Sequence, residues 1–148
     1  MELSRANHCV YKIRYHIVLC IKYRKKLLLD DERISFVKTI LLGIAERYDL
    51  VFDAIGTDGD HVHLFVGATP RYAPSEIIGI TKSITAKQIF KRFPEIRDVL
   101  WGGEFWSDGG YVGTVGEGVT ADIIRKYVEN QGNNEEKEGY RQFKLSGF

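Results

Sequence analysis

Two histidines separated by one residue, His61 and His63, are the side chains best suited to chemistry in this sequence. They lie in an apolar and β-branched run, Asp60 to Val66, which predicts a strand after the turn at Asp58-Gly59. Residues two apart on a strand share a face, with roughly 6.6 Å between their α-carbons. The two imidazoles can therefore bind one metal ion, or they can be half-buried residues with hydrogen-bonded ring nitrogens.

A second pair, Tyr127 and Gln131, lies near the end of the sequence. Thr120 predicts the start of a helix over residues 121–130, and positions four apart on a helix share a face. The pattern leaves two interpretations open. The pair forms part of a site, or Tyr127 belongs to the apolar stripe and Gln131 is solvated at the helix end.

The overall composition is that of an ordinary globular protein. The 148 residues fit one domain, with 44% hydrophobic and 28% charged residues. No apolar run approaches the length of a signal peptide core or a membrane span. Cys9 and Cys20 are too few for a disulfide scaffold, so we expect a protein of the reducing cytoplasm.

Positive charge is clustered although the net charge is only +1. Seven Lys or Arg and no acid lie between Arg5 and Lys26, and five against Glu95 alone between Lys82 and Arg97. Such clusters are typical of a phosphate-binding face, although two merely solvated faces give the same pattern. Within the first cluster, Tyr23 stands among Lys22, Arg24, Lys25 and Lys26, which suits a phosphate backbone with a stacked base.

The elements that must position these residues follow from hydrophobic periodicity. Val10 to Lys22 alternates, which predicts a strand with an apolar face and a wet, basic face that carries Lys12, Arg14 and His16. The remaining predicted elements, in chain order, are a helix after Asp30-Asp31, a strand over Leu50 to Thr57, the histidine strand, a helix that starts near Pro74 and ends at Pro94, and a strand over Phe105 to Val115.

This order predicts an α+β fold of the ferredoxin-like, split βαβ type, in which one antiparallel sheet carries two helices on one face. Val62, Leu64 and Val66 match the covered face, which places His61 and His63 on the open, basic one. A single domain is expected, with a core over about residues 8–117, a tyrosine helix over about 120–131 and a tail over 132–148. Seven glycines between Gly102 and Gly118 predict a hinge before that helix, which makes it mobile.

The blocks Tyr15-His16-Ile17-Val18, Asp60-His61-Val62-His63-Leu64 and Lys126 to Gln131 stand in a characteristic order. Three further blocks lie between or beside them: Lys22 to Lys26, Lys82 to Lys87, and Phe105-Trp106-Ser107 with Gly113 to Gly116. Together they make the chain resemble the single-tyrosine HUH transposases of small bacterial and archaeal insertion sequences. One departure is Gly110-Tyr111, where that family usually has two adjacent large residues.

The resemblance implies that His61, His63 and Gln131 hold a divalent metal, Mg²⁺ or Mn²⁺, at the scissile phosphate. It implies that Tyr127 attacks this phosphate to form a 5′-phosphotyrosine. Asp60 and His16 are candidates for hydrogen-bonding the metal-binding histidines, although a purely structural role is open for each.

The resemblance further implies single-stranded DNA hairpins as the substrate and a homodimer, with active sites shared between subunits. Whether Tyr127 acts in its own subunit is left open. Candidate DNA-binding residues are Lys12, Arg14, Lys22, Tyr23, Arg24, Lys25, Lys82 and Lys87. Two other interpretations stay open: a non-catalytic single-stranded nucleic-acid-binding module of ferredoxin-like fold, and a domesticated relative that nicks hairpins but mobilises nothing.

Overall fold

The computed structural model describes residues 3–6 and 9–116 of the chain. The predicted tyrosine helix, with Tyr127 and Gln131, and the tail lie outside these residues. The described elements are β1 (Ser4–Ala6), β2 (Cys9–Tyr11), β3 (Ile13–Cys20), α1 (Asp31–Tyr48), β4 (Val51–Thr57), β5 (His61–Ala68), α2 (Pro74–Arg92), α3 (Glu95–Leu100) and β6 (Tyr111–Thr114). A 3-10 turn over Lys22–Arg24 follows β3. None of the described helices has the length and apolar character needed to cross a membrane.

The predicted α+β, ferredoxin-like arrangement is confirmed. Four strands form one antiparallel sheet in the order β4-β5-β3-β6, and α1 and α2 connect β3 to β4 and β5 to β6. The histidine strand β5 is hydrogen-bonded on both edges, to β3 and to β4. β1 and β2 form a separate two-stranded hairpin, which the sequence pattern did not separate from the following strand.

Two predicted strands are wrong in extent. The strand predicted over Val10 to Lys22 is interrupted at Lys12 and ends at Cys20, after which Ile21 makes an isolated bridge to Trp106. The strand predicted over Phe105 to Val115 is reduced to β6. Its first part stays beside the continuation of β3, where Lys22 N–H donates to the Phe105 carbonyl and Ser107 N–H donates to the Cys20 carbonyl, each over 2.8 Å. The Lys82 ammonium then binds the carbonyl oxygens of residues 107–109, and the regular strand begins only at Tyr111. The predicted glycine hinge thus contains a paired strand, and its end, residues 117–118, lies outside the described residues.

Both long helices begin where the sequence predicts. The Asp30 carboxylate accepts a hydrogen bond of 2.8 Å from the backbone N–H of Arg33, which caps α1. Pro74 occupies the first turn of α2, where its missing N–H costs nothing. Pro94 does end α2, but the chain re-enters a helical turn at once to form α3, which was not predicted.

The hydrophobic core lies between the two long helices and one face of the sheet. Val37, Leu41 and Ile44 bury one stripe of α1. The sheet contributes Ile17, Leu19 and Ile21 from β3 and its continuation, and Val62, Leu64 and Val66 from β5. Phe105, which is fully buried, closes the core beside α2 against Phe90.

A buried hydrogen-bond chain connects α2 to the segment before β6. The Trp106 indole donates to Thr85 Oγ1 over 2.8 Å, and this hydroxyl donates to the Thr81 carbonyl over 2.6 Å. Thr85→Val keeps the shape but leaves the indole N–H buried without its acceptor. We expect the free energy of unfolding to fall by about 1–2 kcal/mol, measured by urea denaturation.

Thr39→Val is the matched control for that substitution. Thr39 Oγ1 makes the same type of bond, to the Ser35 carbonyl on α1, but in an exposed position. Its replacement should change the free energy of unfolding by less than about 0.5 kcal/mol. Equal losses in the two variants would mean that the Trp106 contact contributes nothing.

Candidate active site

The histidine strand presents its two faces as predicted. Val62, Leu64 and Val66 lie in the core, and His61 and His63 lie on the opposite face of the sheet. Both imidazoles are nevertheless buried, with 3% and 0% of their surface exposed. The wet face predicted for this part of the sheet is therefore wrong.

The same correction applies to β3. His16 is buried, and so are Val18 and Cys20, which follow it on the same face. Val18 and Cys20 stand opposite His63 and His61 in the strand register, so an apolar patch with Tyr111 beside it surrounds the histidines. The alternation of β3 identified the faces correctly, but it could not show that the second face is also buried.

His16 holds His63 in place. Its Nε2 lies 3.1 Å from Nδ1 of His63, within hydrogen-bonding distance. The His16 ring is stacked on Phe65, with 4.3 Å between ring centroids and 7° between planes. Burial lowers the pKa of His16 to about 4. Burial also lowers the pKa of His63 far below its usual value, and the electrostatic effect of the neighbouring His61 lowers it further. Both rings are therefore neutral at pH 7, which is the form that binds metals.

His61 is held by the turn that precedes it. Its Nδ1 lies 2.5 Å from Oδ1 of Asp60, whose Oδ2 lies 3.3 Å from Nε of Arg24. The turn is fixed to its neighbours through the backbone, because Ile21 N–H donates to the Asp60 carbonyl over 2.8 Å. Gly59 adopts φ 65°, a left-handed conformation that a glycine accepts without strain.

The donor set fits a divalent metal. The ring centroids of His61 and His63 are 5.0 Å apart. His61 Nδ1 faces Asp60 and His63 Nδ1 faces His16, so the candidate ligand atoms are the Nε2 atoms; His61 Nε2 also lies 3.7 Å from Oδ2 of Asp58. Within residues 3–6 and 9–116, no three His, Cys, Asp or Glu side chains converge on a possible ion, so the two histidines are at most part of a ligand set.

The candidate DNA-binding cations differ sharply in what they contact. Arg14 does not extend into solvent, because its Nε forms an ion pair of 2.8 Å with Asp53, and both side chains are largely buried. Asp53 is the extra residue of a β-bulge in β4, which turns its carboxylate towards Arg14 across β5. Gly67 leaves room for the guanidinium in this position, since a Cβ there would come within 2.7 Å of Arg14 Cζ and displace it.

Of the remaining candidates, two lie on α2, one directly precedes β3, and four lie in or beside the turn after β3. Lys82 binds three backbone carbonyls of the 107–109 segment, and burial lowers its pKa, whereas Lys87, five residues further along α2, is exposed. Lys12 is half-buried. The last four lie together in and beside the 3-10 turn, next to the Asp60 carboxylate: Lys22, Tyr23, Arg24 and Lys25.

Sequence reasoning missed Asp53 and Trp101. Asp53 lies in an ordinary strand pattern, and nothing local indicates that it pairs with a residue 39 positions earlier in the chain (53 minus 14). Trp101 ends α3 with 78% of its surface exposed. The available signal was a tryptophan placed directly before Gly102-Gly103, which is unusual for a core residue.

Sequence comparison connects this geometry to a family. The family described as "Transposase IS200 like" matches residues 9–131. The chain belongs to the IS200-like transposases. Membership implies DNA strand-transfer and endonuclease activity in general, and the match extends over Tyr127 and Gln131 as well as the histidine strand.

Individual IS200-like relatives cover nearly the same region. The chain is 33% identical to the ISDra2 transposase TnpA of Deinococcus radiodurans over 135 residues, which are 91% of this chain and 95% of that protein. It is 27% identical to the transposase for insertion sequence element IS200 of Salmonella typhimurium, over 84% of this chain and 80% of that one.

Solved structures agree on the fold of this IS200-like chain. A crystal structure of a Deinococcus radiodurans R1 protein described as a transposase superposes with a TM-score of 0.71 at 35% identity, over 86% of this chain and 97% of that one. A REP-associated tyrosine transposase bound to a REP hairpin gives a TM-score of 0.53 at 10% identity, over 88% and 74%. The second likeness is one of fold alone.

Proposed function

We propose that this chain is a metal-dependent single-stranded DNA transposase of the cytoplasm. It cleaves and rejoins DNA at the end hairpins of an insertion sequence through a 5′-phosphotyrosine intermediate. The observation that carries the proposal is the buried His61–His63 pair, in which each ring is oriented by a partner, Asp60 or His16. Family membership and the tyrosine transposase fold support it.

In this proposal His61, His63 and Gln131 hold Mg²⁺ or Mn²⁺. A site of two imidazoles and one amide oxygen suits either ion, with water and phosphate oxygens as further ligands. When bound, the ion polarises the phosphoryl group and neutralises the charge that develops on it. His16 and Asp60 fix which nitrogen of each ring carries the proton. If His63 binds through Nε2, its Nδ1–H donates to His16 Nε2.

Tyr127 supplies the nucleophile of the proposed reaction. Its phenolic oxygen forms a bond to phosphorus while the bond from phosphorus to the 3′ oxygen breaks, which leaves a 5′-phosphotyrosine and a free 3′-OH. A phenol with a pKa of about 10 is mostly protonated at pH 7, so a water or other base must take its proton. A second 3′-OH reverses the step and rejoins the DNA without ATP.

Hairpin single-stranded DNA is the proposed substrate, bound by the basic turn over residues 22–25 and by the exposed Lys87. The fold neighbour described as bound to a REP hairpin supports this choice. We further propose a homodimer in which the two subunits share their active sites. Of the candidate cations, Arg14 and Lys82 are the weakest for DNA, because Asp53 and backbone carbonyls already bind them.

Tyr127→Phe tests the proposal directly. Single-stranded oligonucleotides that carry the hairpins flanking the coding sequence are incubated with Mn²⁺, and the covalent protein–DNA adduct is followed by denaturing electrophoresis. The wild-type chain should form the adduct, and Tyr127→Phe should lose it while retaining hairpin binding. An adduct that survives in the variant sinks the assignment of the nucleophile. Efficient cutting of the same sequence as a duplex contradicts the substrate.

A further inference from the structure

Two exposed aromatic side chains from distant parts of the chain meet beside the histidine site. Tyr23 lies in the turn after β3 and Trp101 ends α3, and their ring centroids are 5.8 Å apart. Tyr23 is 57% exposed and Trp101 is 78% exposed. A tryptophan contributes most of its stabilisation when it is buried, so the exposed Trp101 ring contributes little to the core.

Two lysine ammonium groups lie near the two rings. The Lys25 ammonium lies 5.5 Å from the centroid of the Trp101 ring, and the Lys22 ammonium lies 5.8 Å from that of Tyr23. Lys22 also pairs with Glu104, whereas within the described residues no carboxylate pairs with Lys25. Aromatic faces beside cations are the combination that binds a nucleic acid base together with its phosphate.

The backbone holds these rings at a cost. Tyr23, Arg24 and Trp101 have φ values of 58°, 55° and 54°, in the left-handed region that disfavours residues with a side chain. Among the described non-glycine residues, Asp49 is the one other with positive φ. Trp101 and Asp49 adopt this conformation as the residues that end α3 and α1, which is a common way for a helix to end. Tyr23 and Arg24 adopt it inside a turn, and strain of this kind concentrates at functional sites.

The aromatic pair is connected to the histidine site by two residues. Arg24, which follows Tyr23, contacts Asp60 Oδ2, and Asp60 Oδ1 contacts His61 Nδ1. The turn that carries Tyr23 therefore contacts the turn that carries His61. The patch comprises two rings edged by lysines, which suits a nucleotide better than a protein partner, whose interfaces have a broad apolar centre.

We propose that Tyr23 and Trp101 form a stacking platform for an unpaired base of the DNA strand held at the histidine site, with the base flat on the Trp101 indole and the Tyr23 ring, inclined by 55°, at its edge. Lys25 binds the phosphate next to that base. This platform rests on the proposed function, since it takes the same single strand as its ligand. It adds Trp101 to the residues that bind DNA and gives the basic turn a base-binding role.

Two probes separate stacking from charge. One is a fluorescein-labelled dT15 oligonucleotide, and the other is an abasic phosphodiester of the same length and charge. Binding to the full chain is measured by anisotropy in EDTA, so that no cleavage occurs. We expect Trp101→Ala to bind dT15 about tenfold more weakly and the abasic probe equally well. Trp101→Phe should retain most of the affinity for dT15, because it keeps an aromatic face.

Two further variants complete the experiment. Leu42→Ala removes an exposed apolar side chain from α1 and should bind both probes like the wild type. Lys25→Gln should weaken both probes to a similar degree, because it removes a contact to phosphate. Thermal melting should show Trp101→Ala folded at the assay temperature, since the exposed indole contributes little to the core.

The outcomes are distinct for the platform and for the proposed function. Unchanged dT15 binding by Trp101→Ala, or an equal loss on both probes, overturns the platform, while hairpin cleavage by the wild type leaves the proposed function standing. Loss of dT15 binding in Leu42→Ala as well also overturns it, because the effect would not be specific to the aromatic pair. A wild-type chain that binds neither probe nor hairpin DNA overturns both.

Discussion

His63→Ala is expected to abolish hairpin cleavage while leaving hairpin binding largely intact. In the proposed site this ring binds the metal through Nε2, so its removal takes away one of the three proposed protein ligands. We expect the cleavage rate to fall by at least about 100-fold, the effect typical of removing a group that stabilises developing charge. His61→Ala should behave alike. Single-turnover cleavage and anisotropy on the same hairpin measure the two quantities.

His16→Phe should weaken metal binding less than His63→Ala does. Phenylalanine preserves the stack on Phe65 but removes the nitrogen that faces His63, so the His63 ring loses its orienting partner. Mn²⁺ affinity, measured by calorimetry without DNA, should fall by about 10- to 100-fold, less than for His63→Ala. For His63→Ala, a loss of hairpin affinity as large as the loss of cleavage would favour the non-catalytic binding module. Unchanged Mn²⁺ affinity in His16→Phe would leave His16 with a packing role alone.

Asp53→Ala is expected to lower the free energy of unfolding by about 3 kcal/mol. The Arg14 side chain is 9% exposed, and without Asp53 its charge stays buried with no opposite charge 2.8 Å away. Breaking a buried pair from one side is costly for this reason. Urea denaturation of the single variants and of Arg14→Leu with Asp53→Ala measures the effect. The double variant should recover much of the loss, because it removes both charges.

Gly67→Ala tests the same contact by geometry. Its added Cβ would displace the guanidinium that crosses β5, so its loss of stability should not add fully to that of Asp53→Ala. An Asp53→Ala variant that loses less than about 1 kcal/mol would show that Arg14 reaches solvent easily. Arg14 would then regain its place among the candidate DNA-binding residues.

The parts of the fold that depend on a regular period were predictable from the sequence. Alternation in β3 and β5 identified the faces turned towards the helices, and Asp30 and Pro74 located where the two long helices begin. With the order of the elements, these features gave the ferredoxin-like sheet. The position of His61 and His63 on the face opposite the helices followed from that parity alone.

The contacts that give the site its detail could not be predicted in this way. Burial of His16 depends on a second covered face, which no period in β3 reveals. The Arg14–Asp53 pair depends on a bulge in another strand, and the approach of Tyr23 to Trp101 depends on where a six-residue helix ends. Each of these is a relation between segments far apart in the sequence, set by packing rather than by local preference.

Because β5 is paired along both edges, the chain cannot slide there without breaking two ladders. A single-residue insertion between His63 and Leu64 would offset the two halves of the strand by one position, so that either the histidines or Leu64 and Val66 change face. A two-residue insertion there would keep the faces but move both imidazoles about 6.6 Å along the strand, away from His16. Residues can therefore be added or removed without moving the histidines only outside β5.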